Sequence, residues 1–353
     1  MYKSLQAGRA LAAIFVVLYH LGGAIAAEKY FGNAAFAVPF SFGSAGVEFF
    51  FVLSGFIILT SHRQDIFKPE KLASYLRKRI TRIYPIYWII FLGVYLLAMS
   101  SSALRNQVPH DLFVVFKSML LIPQDGRVVG GTGAPVIIAA WTLQYEMFFY
   151  FVFMFIILSR WLSAILAVIL LYIYITYSGT SPTSFWISFL SKDYILLFVM
   201  GMIVSEICTP KRIVVGKPIF YASVGAAVFL LVALDKVLQL ELLGEKRTIL
   251  YGAASSLIIF GLVQLEDTGR VVCGNKAMQL LGDSSYALYL IHYPLISSLC
   301  KLSLLFQLNK FGVTGALIAY LFIFFACIMS SVAFHLWVEK PITAYIRNRC
   351  MKI

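Results

Sequence analysis

The sequence predicts an all-α membrane protein, a polytopic bundle of about ten transmembrane helices. Two properties of the chain support this prediction. Hydrophobic residues make up 61% of its 353 positions, whereas charged residues make up only 13%. Apolar runs of about twenty residues, the length that an α-helix needs to cross the hydrocarbon core of a bilayer, recur along the chain. This composition excludes a water-soluble globular protein.

The apolar runs predict ten spans, which short polar loops connect. In chain order, the predicted spans are residues 8–26, 44–61, 83–99, 139–158, 161–178, 191–207, 217–235, 247–265, 284–306 and 313–338. The segment 111–123 is apolar but only about a dozen residues long, so we expect an interfacial or re-entrant helix there. Because no internal repeat or soluble segment interrupts the pattern, residues 1–353 are expected to form a single membrane domain.

The distribution of basic residues predicts how the bundle is oriented. Seven of the 29 Lys and Arg lie in the loop 62–82, and the loops on the same side of the membrane hold most of the total. Loops rich in Lys and Arg remain in the cytoplasm, so both termini are predicted to be cytoplasmic. Since the basic residues are spread over several loops in contact with membrane lipids, we expect no nucleic-acid partner.

The first predicted span contains an arginine and a histidine eleven positions apart, Arg9 and His20. Eleven steps of about 100° bring the two side chains to within about 20° of each other on the helix, roughly 16 Å apart along its axis. Ionisable groups at this depth are costly unless they line a polar cavity. We therefore expect a functional pathway along this helix, where the small side chains of Ala12 and Ala13 would leave a narrow passage.

Two carboxylates are predicted at a similar depth to His20. Glu48 lies about four residues below the outer end of the second span, and Glu146 about seven below that of the fourth. A carboxylate beside a histidine fixes its tautomer and stabilises the imidazolium, which is the arrangement of an oriented general base. The depths allow His20, Glu48 and Glu146 to meet, although each carboxylate could instead be a structural partner of a buried arginine. His292 in the ninth span is roughly level with His20.

Six blocks of the sequence resemble the acyltransferase 3 family, whose members are integral membrane enzymes that acylate sugars and other cell-envelope molecules. The blocks occur in order and cover nearly the whole chain. They are the Arg9 to His20 spacing, GVEFFFVLSGF at 46–56, RKRITRIYPIYW at 77–88, WTLQYEMFFY at 141–150, SYALYLIHYPL at 285–295 and VEKP at 338–341.

The resemblance implies roles for individual residues. Arg9 and His20 match the essential arginine and histidine of the family, and Glu48 matches its acidic residue. Arg79 and Arg82 match a basic pair that, with Arg9, is expected to hold the phosphates of an acyl donor, since arginine forks suit phosphate. We include Glu146 among the catalytic candidates. His292 and Tyr145 are candidates for contact with the acceptor, and no metal is expected.

The activity that the resemblance implies is O-acylation across the bacterial inner membrane. The expected donor is cytoplasmic acetyl-CoA, and the expected acceptor is a sugar hydroxyl of a lipid-linked or polymeric glycan, such as O-antigen or exopolysaccharide, on the periplasmic side. Some members have a C-terminal esterase-like domain, and we expect none in this protein. A separate periplasmic or export-complex partner is therefore a further expectation to test.

Three questions stay open from the sequence. His20 could act as a general base in direct transfer, or it could carry the acyl group as a transient acyl-histidine. A secondary transporter or flippase would also have ten spans with charges near the midplane, although the paired broken helices typical of such folds are not seen. A non-catalytic component of a polysaccharide-export complex would need the spans but no aligned arginine and histidine.

Overall fold

The computed structural model describes residues 2–102, 104–208 and 216–350. Within these ranges, ten helical segments are long and apolar enough to cross a membrane, which confirms the predicted all-α fold. The helices that cross are α1 (Lys3–Ala26), α2 (Gly46–His62), α3 (Leu72–Ser100), α6 (Trp141–Leu158), α7 (Arg160–Tyr177), α9 (Tyr194–Cys208), α10 (Pro218–Val237), α11 (Arg247–Asp267), α13 (Ser285–Leu305) and α14 (Gly312–Phe334). Shorter helices connect or follow them: α4 (Leu112–Met119), α5 (Gly126–Val129), α8 (Phe185–Leu190), α12 (Lys276–Asp283) and α15 (Lys340–Cys350).

The third helix differs most from its predicted span. It begins at Leu72 rather than at residue 83, so the basic run RKRITR is helical and not part of a loop. Hydropathy identifies only the part of a helix that is apolar enough for the bilayer, and a helix that continues beyond that part is missed. As a result, Arg79 and Arg82 occupy fixed positions on a rigid helix.

The first helix is held at its start by the end of α11. The backbone N–H groups of Lys3 and Ser4 each donate a 2.8 Å hydrogen bond to the Glu266 carboxylate, which satisfies two of the donors that a helix start leaves open. We call the side of the bundle on which α1 begins the N-terminal side, and the other the opposite side. With ten spans, both ends of the chain lie on the N-terminal side.

The helices are staggered along the membrane normal. Gly46, the first residue of α2, packs directly on the carbonyl of Ala12, so α2 begins level with the middle of α1. The start of α6 is equally deep, because the hydroxyl of Thr142 is 2.8 Å from that of Tyr289, one turn into α13. These two helices therefore leave space above them on the opposite side.

The loop before α6 fills part of this space. It descends along α3, where the Trp88 indole N–H donates to the carbonyl of Met119 at 2.9 Å and the Tyr84 hydroxyl donates to that of Leu120 at 2.8 Å. Tyr84 lies sixteen residues before the end of α3, which is about 24 Å along the helix axis. The short helix α4 in this loop is thus the re-entrant segment that the sequence predicts at 111–123.

Helices α2 and α9 cross at glycines. A Cβ atom added at Gly55 would collide with the carbonyl of Phe198, and one added at Gly201 would collide with the carbonyl of Val52. Small residues at such a crossing let two backbones approach closely in the membrane, where van der Waals packing and not the hydrophobic effect holds helices together.

We predict that Gly201→Ala destabilises the protein by about 1–3 kcal/mol, because the α2 and α9 backbones must move apart to admit the methyl group. The measurement is the thermal unfolding midpoint of the purified protein in detergent. Gly93→Ala in α3 is the matched control, since no atom lies within 4 Å of a Cβ added there. Equal midpoints for the two variants would contradict the prediction.

Candidate active site

A cavity of about 290 Å³ lies inside the bundle, between α2, α6 and α13. It follows α2 from Ile57 to Val47, which is about 15 Å along the helix axis. The cavity wall is charged toward the N-terminal side, where the cations are Arg9 and Arg82. The acidic side chains at this end are Glu146, Asp283 and Glu339.

Each of the three carboxylates has a hydrogen-bond partner other than an arginine. Tyr150 donates to Glu146 at 2.5 Å, Gln6 donates to Asp283, and the ring of His335 is 2.8 Å from Glu339. His335 and Glu339 bound a π-helical segment that follows α14, and both line the cavity. Such segments often occur at functional sites.

Arg82 is the cation that these contacts leave unpaired. Its side chain is exposed into the cavity, and it makes no hydrogen bond or ion pair to any residue that the structure describes. The Arg9 guanidinium faces the same cavity and lies near Arg82, Glu339, Asp283 and Glu146. Two guanidinium groups at one end of a cavity form a site suited to an anion with several oxygens.

The far end of the cavity adjoins a pair of histidines. Tyr289 lines the cavity, and its ring centroid is 5.7 Å from that of His292 in the next turn of α13. His292 Nε2 is 3.1 Å from His20 Nδ1. His292 is completely buried, whereas His20 is half-buried and packs against the rings of Tyr19 and Tyr293.

The backbone fixes the tautomers of both rings when they are neutral. His292 Nδ1 is 3.1 Å from the Leu288 carbonyl, which can only accept, so Nδ1 carries the hydrogen and Nε2 accepts. His20 Nδ1 therefore carries a hydrogen, which faces both His292 Nε2 and the Val16 carbonyl at 3.0 Å. The lone pair of His20 is then on Nε2. A half-buried imidazole with an oriented, unprotonated Nε2 is placed to act as a base.

Comparison with known proteins identifies the family. The acyltransferase domain of the acyltransferase 3 family matches residues 2–336. The protein belongs to this family. The chain is therefore a multi-pass membrane acyltransferase, and the family that the sequence blocks indicate is confirmed.

Two proteins are similar in sequence to this acyltransferase. The exopolysaccharide production protein ExoZ of Rhizobium meliloti is 30% identical over 326 residues, which cover 88% of this chain and 92% of the relative. The acyltransferase MdmB of Streptomyces mycarofaciens is 28% identical over 156 residues, which cover 42% of this chain and 38% of the relative. No solved structure matches the chain.

The carboxylates predicted to orient His20 lie elsewhere in the acyltransferase. Glu146 lines the charged end of the cavity with Arg9, because α6 begins deeper than its hydropathy indicates. Glu48 lies in the first turn of α2, with its Oε2 atom buried and without a hydrogen-bond partner. Neither carboxylate hydrogen-bonds to His20 among the described residues. The group that orients His20 is another histidine, His292.

The predicted arginine pair is divided between two environments. Arg82 is exposed in the cavity, but Arg79 is 6% exposed and does not line it. Its Nη2 atom is 2.5 Å from His62 Nε2, and its guanidinium lies over the rings of Tyr75 and Tyr150. Direct contact of Arg79 with a ligand phosphate, as the sequence predicts, would break this buried cluster.

The predicted pathway along α1 is closed by packing. Ala12 and Ala13 are 4% and 1% exposed, and Ala12 meets Gly46 of α2. The only residue of α1 that lines the cavity is Arg9. The small side chains of the stripe therefore serve close helix contact, and the cavity lies between α2, α6 and α13 instead.

Several residues of the cavity wall were not predicted from the sequence. Tyr286, Tyr289 and His292 could have been, because they follow each other at intervals of three and therefore project from one side of α13. Asp283 and His335 had no such signal. The predicted acceptor contact Tyr145 lines a second cavity, and His292 contacts His20.

We predict unequal effects on stability for the two arginines. Arg79→Ala leaves the buried Nε2 atom of His62 without its donor, while the His62 to Asp65 contact at 2.8 Å remains, and should cost about 1–3 kcal/mol. Arg82→Ala removes a guanidinium that makes no hydrogen bond or ion pair to a described residue, and it should lower the thermal midpoint in detergent less than Arg79→Ala does. Equal loss of stability in both variants would show that Arg82 is also structural.

Proposed function

We propose that this protein transfers an acetyl group from acetyl-CoA to a sugar hydroxyl of a polysaccharide on the opposite side of the membrane. The observation that carries the proposal is the cavity itself. It has two guanidinium groups at the N-terminal side and ends beside an oriented histidine pair. We assign the N-terminal side to the cytoplasm, as the distribution of Lys and Arg predicts.

The charged end of the cavity is where the donor's phosphates would bind. Arg82 offers a guanidinium without a protein partner among the described residues, and Arg9 adds a second. Each of the three neighbouring carboxylates is hydrogen-bonded to another side chain, and an incoming phosphate must compete with them for the arginines. Arg79 does not line the cavity. Its buried contacts with His62, Tyr75 and Tyr150 stabilise this part of α3.

The remainder of the cavity suits a thin chain. Its wall along α2 is formed by Ile57, Ser54, Leu53, Phe50 and Val47, which are apolar except for one serine. An extended pantetheine arm with its phosphates at Arg82 would follow these residues and bring the thioester to the Thr142 and Tyr289 hydroxyls. Because Thr142 donates its hydrogen to the Tyr289 oxygen, the Tyr289 O–H is the donor left at this end of the cavity for a developing oxyanion.

His20 is the proposed general base. The acceptor hydroxyl gives its proton to His20 Nε2 while its oxygen attacks the thioester carbonyl. The C–S bond then breaks, and the departing thiolate takes the proton back from Nε2, so the histidine is regenerated. Because Tyr289 lies between the cavity and His292, we expect its ring to shift when the donor binds, while its hydroxyl stays beside the thioester.

The acceptor class is inferred from the relative with the longer match. ExoZ is named for exopolysaccharide production, and its match covers 88% of the present chain. A polysaccharide made for export is available on the far side of the membrane from acetyl-CoA. An enzyme whose two substrates lie on different sides of the membrane needs space inside the bundle where they can meet.

The proposal is tested with the purified protein in lipid nanodiscs. The substrates are acetyl-CoA labelled in the acetyl group and oligosaccharides prepared from the de-acetylated envelope polysaccharide of the strain that encodes the protein. We expect free CoA and labelled oligosaccharide in equal amounts. A transporter or non-catalytic component would release no CoA. Mass spectrometry of envelope glycans with and without the gene identifies the acetylated sugar.

His20→Ala should abolish transfer, and His292→Leu should lower kcat about 100-fold, because the Nδ1–H of His20 loses one of its two acceptors and only the Val16 carbonyl then holds the ring. His292→Gln keeps an oxygen that can accept from His20 Nδ1–H and should recover part of this loss. Turnover and thermal stability are measured on the same preparations. If Leu and Gln at position 292 are equally active, His292 has no positioning role. An acetylated His20 in the intact-mass spectrum without acceptor would replace direct transfer by the acyl-histidine route.

Arg82→Ala should raise the KM for acetyl-CoA about tenfold and change kcat little, since a contact made equally in the ground and transition states is lost. Acetyl-pantetheine, which lacks the phosphates, is the matched control: its KM should be the same for both proteins. A similar increase for both donors would place the effect of Arg82 elsewhere than on phosphate.

A further inference from the structure

A second and larger cavity opens toward the opposite side, where α2 and α6 begin deep in the bundle. We call it the outer cleft. It has a volume of about 970 Å³, at the upper end of the range for ligand sites. Its lining comes from the re-entrant loop, the start of α6, the segment from the end of α7 through α8 and the start of α11. The lining residues used below are Gln144, Tyr145, Trp141, Asp193 and Tyr194.

The floor of the outer cleft is aromatic. Tyr145 stacks on Phe189 with ring centroids 4.0 Å apart and planes at 10°, and Trp141 lies 5.2 Å from Tyr194. Trp141 and Tyr194 are only partly buried, so their surfaces are available to a ligand. Flat aromatic surfaces in a wet cleft suit ligands that have both an apolar face and polar edges, as a pyranose ring has.

Polar groups with unused hydrogen-bonding capacity surround this floor. Gln144 Nε2 donates to the carbonyls of Gly133 and Ile122, and its Oε1 accepts no hydrogen bond from the described residues. Asp193 accepts from the Tyr174 hydroxyl through Oδ1 at 3.0 Å, which leaves Oδ2 available. Planar amide and carboxylate acceptors of this kind are suited to neighbouring hydroxyl groups.

The charged side chains of the cleft are partly paired with each other. Three acidic and two basic side chains line it, the same numbers as in the donor cavity. One of the basic side chains, Arg127, is engaged in a bidentate contact with Asp125. Hydrogen bonds from Arg127 also lower the pKa of Asp125, so this pair stays ionised. An uncharged or weakly charged polyhydroxyl compound fits this lining.

A single aromatic layer separates the outer cleft from the donor cavity. Phe51 lines the donor cavity, and its ring is 5.1 Å from Tyr194 and 6.5 Å from Trp141, which line the cleft. Trp141 also precedes Thr142, whose hydroxyl contacts Tyr289 beside the histidine pair. A ligand on the cleft floor is therefore adjacent to the end of the donor cavity.

We propose that the outer cleft is an acceptor subsite that binds a saccharide segment by stacking on Trp141 and Tyr194 and by hydrogen bonds to Gln144 and Asp193. The inference rests on the proposed function, since it supplies the site for that function's acceptor. It assigns recognition of the glycan to the start of α6 and to the segment before α9, away from the arginines that bind the donor.

The test measures binding separately from transfer. His20→Ala protein in lipid nanodiscs is titrated with the oligosaccharides prepared from the de-acetylated envelope polysaccharide, and the Kd is determined by calorimetry. Trp141→Leu and Asp193→Asn, each added to His20→Ala, should weaken binding about tenfold. Asp193→Asn keeps the shape of the side chain and the oxygen that accepts from Tyr174, so it tests the cleft even if Trp141→Leu fails to fold.

Trp186→Leu is the matched control. Trp186 lies on α8 beside the cleft but does not line it, and it is 52% exposed. Equal affinities in Trp141→Leu, Asp193→Asn and Trp186→Leu would overturn the subsite, as would absence of binding to the parent protein. Failure of the proposed function has a different signature: the oligosaccharide binds in the cleft, but no CoA is released when the His20 protein receives acetyl-CoA.

Discussion

Two guanidinium groups inside a bundle of apolar helices set the main physical constraint on this structure. A charge within the hydrocarbon region is costly unless it faces a partner or a polar cavity. Arg9 and Arg82 face one cavity together, and the carboxylates beside them are held by Tyr150, Gln6 and His335. The cavity is therefore polar at the N-terminal side and apolar along α2, a gradient that matches a donor with a charged head and a thin arm.

The stagger of the helices opens the bundle from the opposite side. Because α2 and α6 begin level with the middle of α1, the opposite side is open to the depth of Thr142. The re-entrant loop closes part of this opening, and hydrogen bonds from α3 satisfy its backbone carbonyls. Irregular backbone at membrane depth is tolerated only where protein or a water-filled cavity surrounds it. The re-entrant loop satisfies this condition, because it packs on α3 and lines the outer cleft.

A histidine pair gives His20 a different environment from the carboxylate arrangement expected of it. A carboxylate would stabilise the imidazolium directly, whereas neutral His292 fixes the tautomer and adds no charge. Each histidine donates from Nδ1 to the carbonyl four residues before it in its own helix, so the orientation of both rings follows from helix geometry. The electrostatic support for a charged intermediate must then come from elsewhere. Glu48, in the first turn of α2, has a buried Oε2 atom without a hydrogen-bond partner among the described residues.

The sequence alone determined the solvent, the number of spans and the family, because bilayer thickness dictates helix length. It also indicated Arg9, His20 and Arg82 as site candidates, because buried charges are rare enough to be conspicuous. It could not determine which of these residues share a site. Depth counted from hydropathy assumes that all helices begin at one level, and α6 does not, so Glu146 lies with Arg9 and not with His20. Arg79 and Arg82 are three residues apart and look equivalent in sequence, but only the packing of His62 and Tyr150 against α3 makes one of them structural. The grouping of side chains into cavities is set by how the helices cross and how far each is shifted along the membrane normal, which no local pattern of residues encodes.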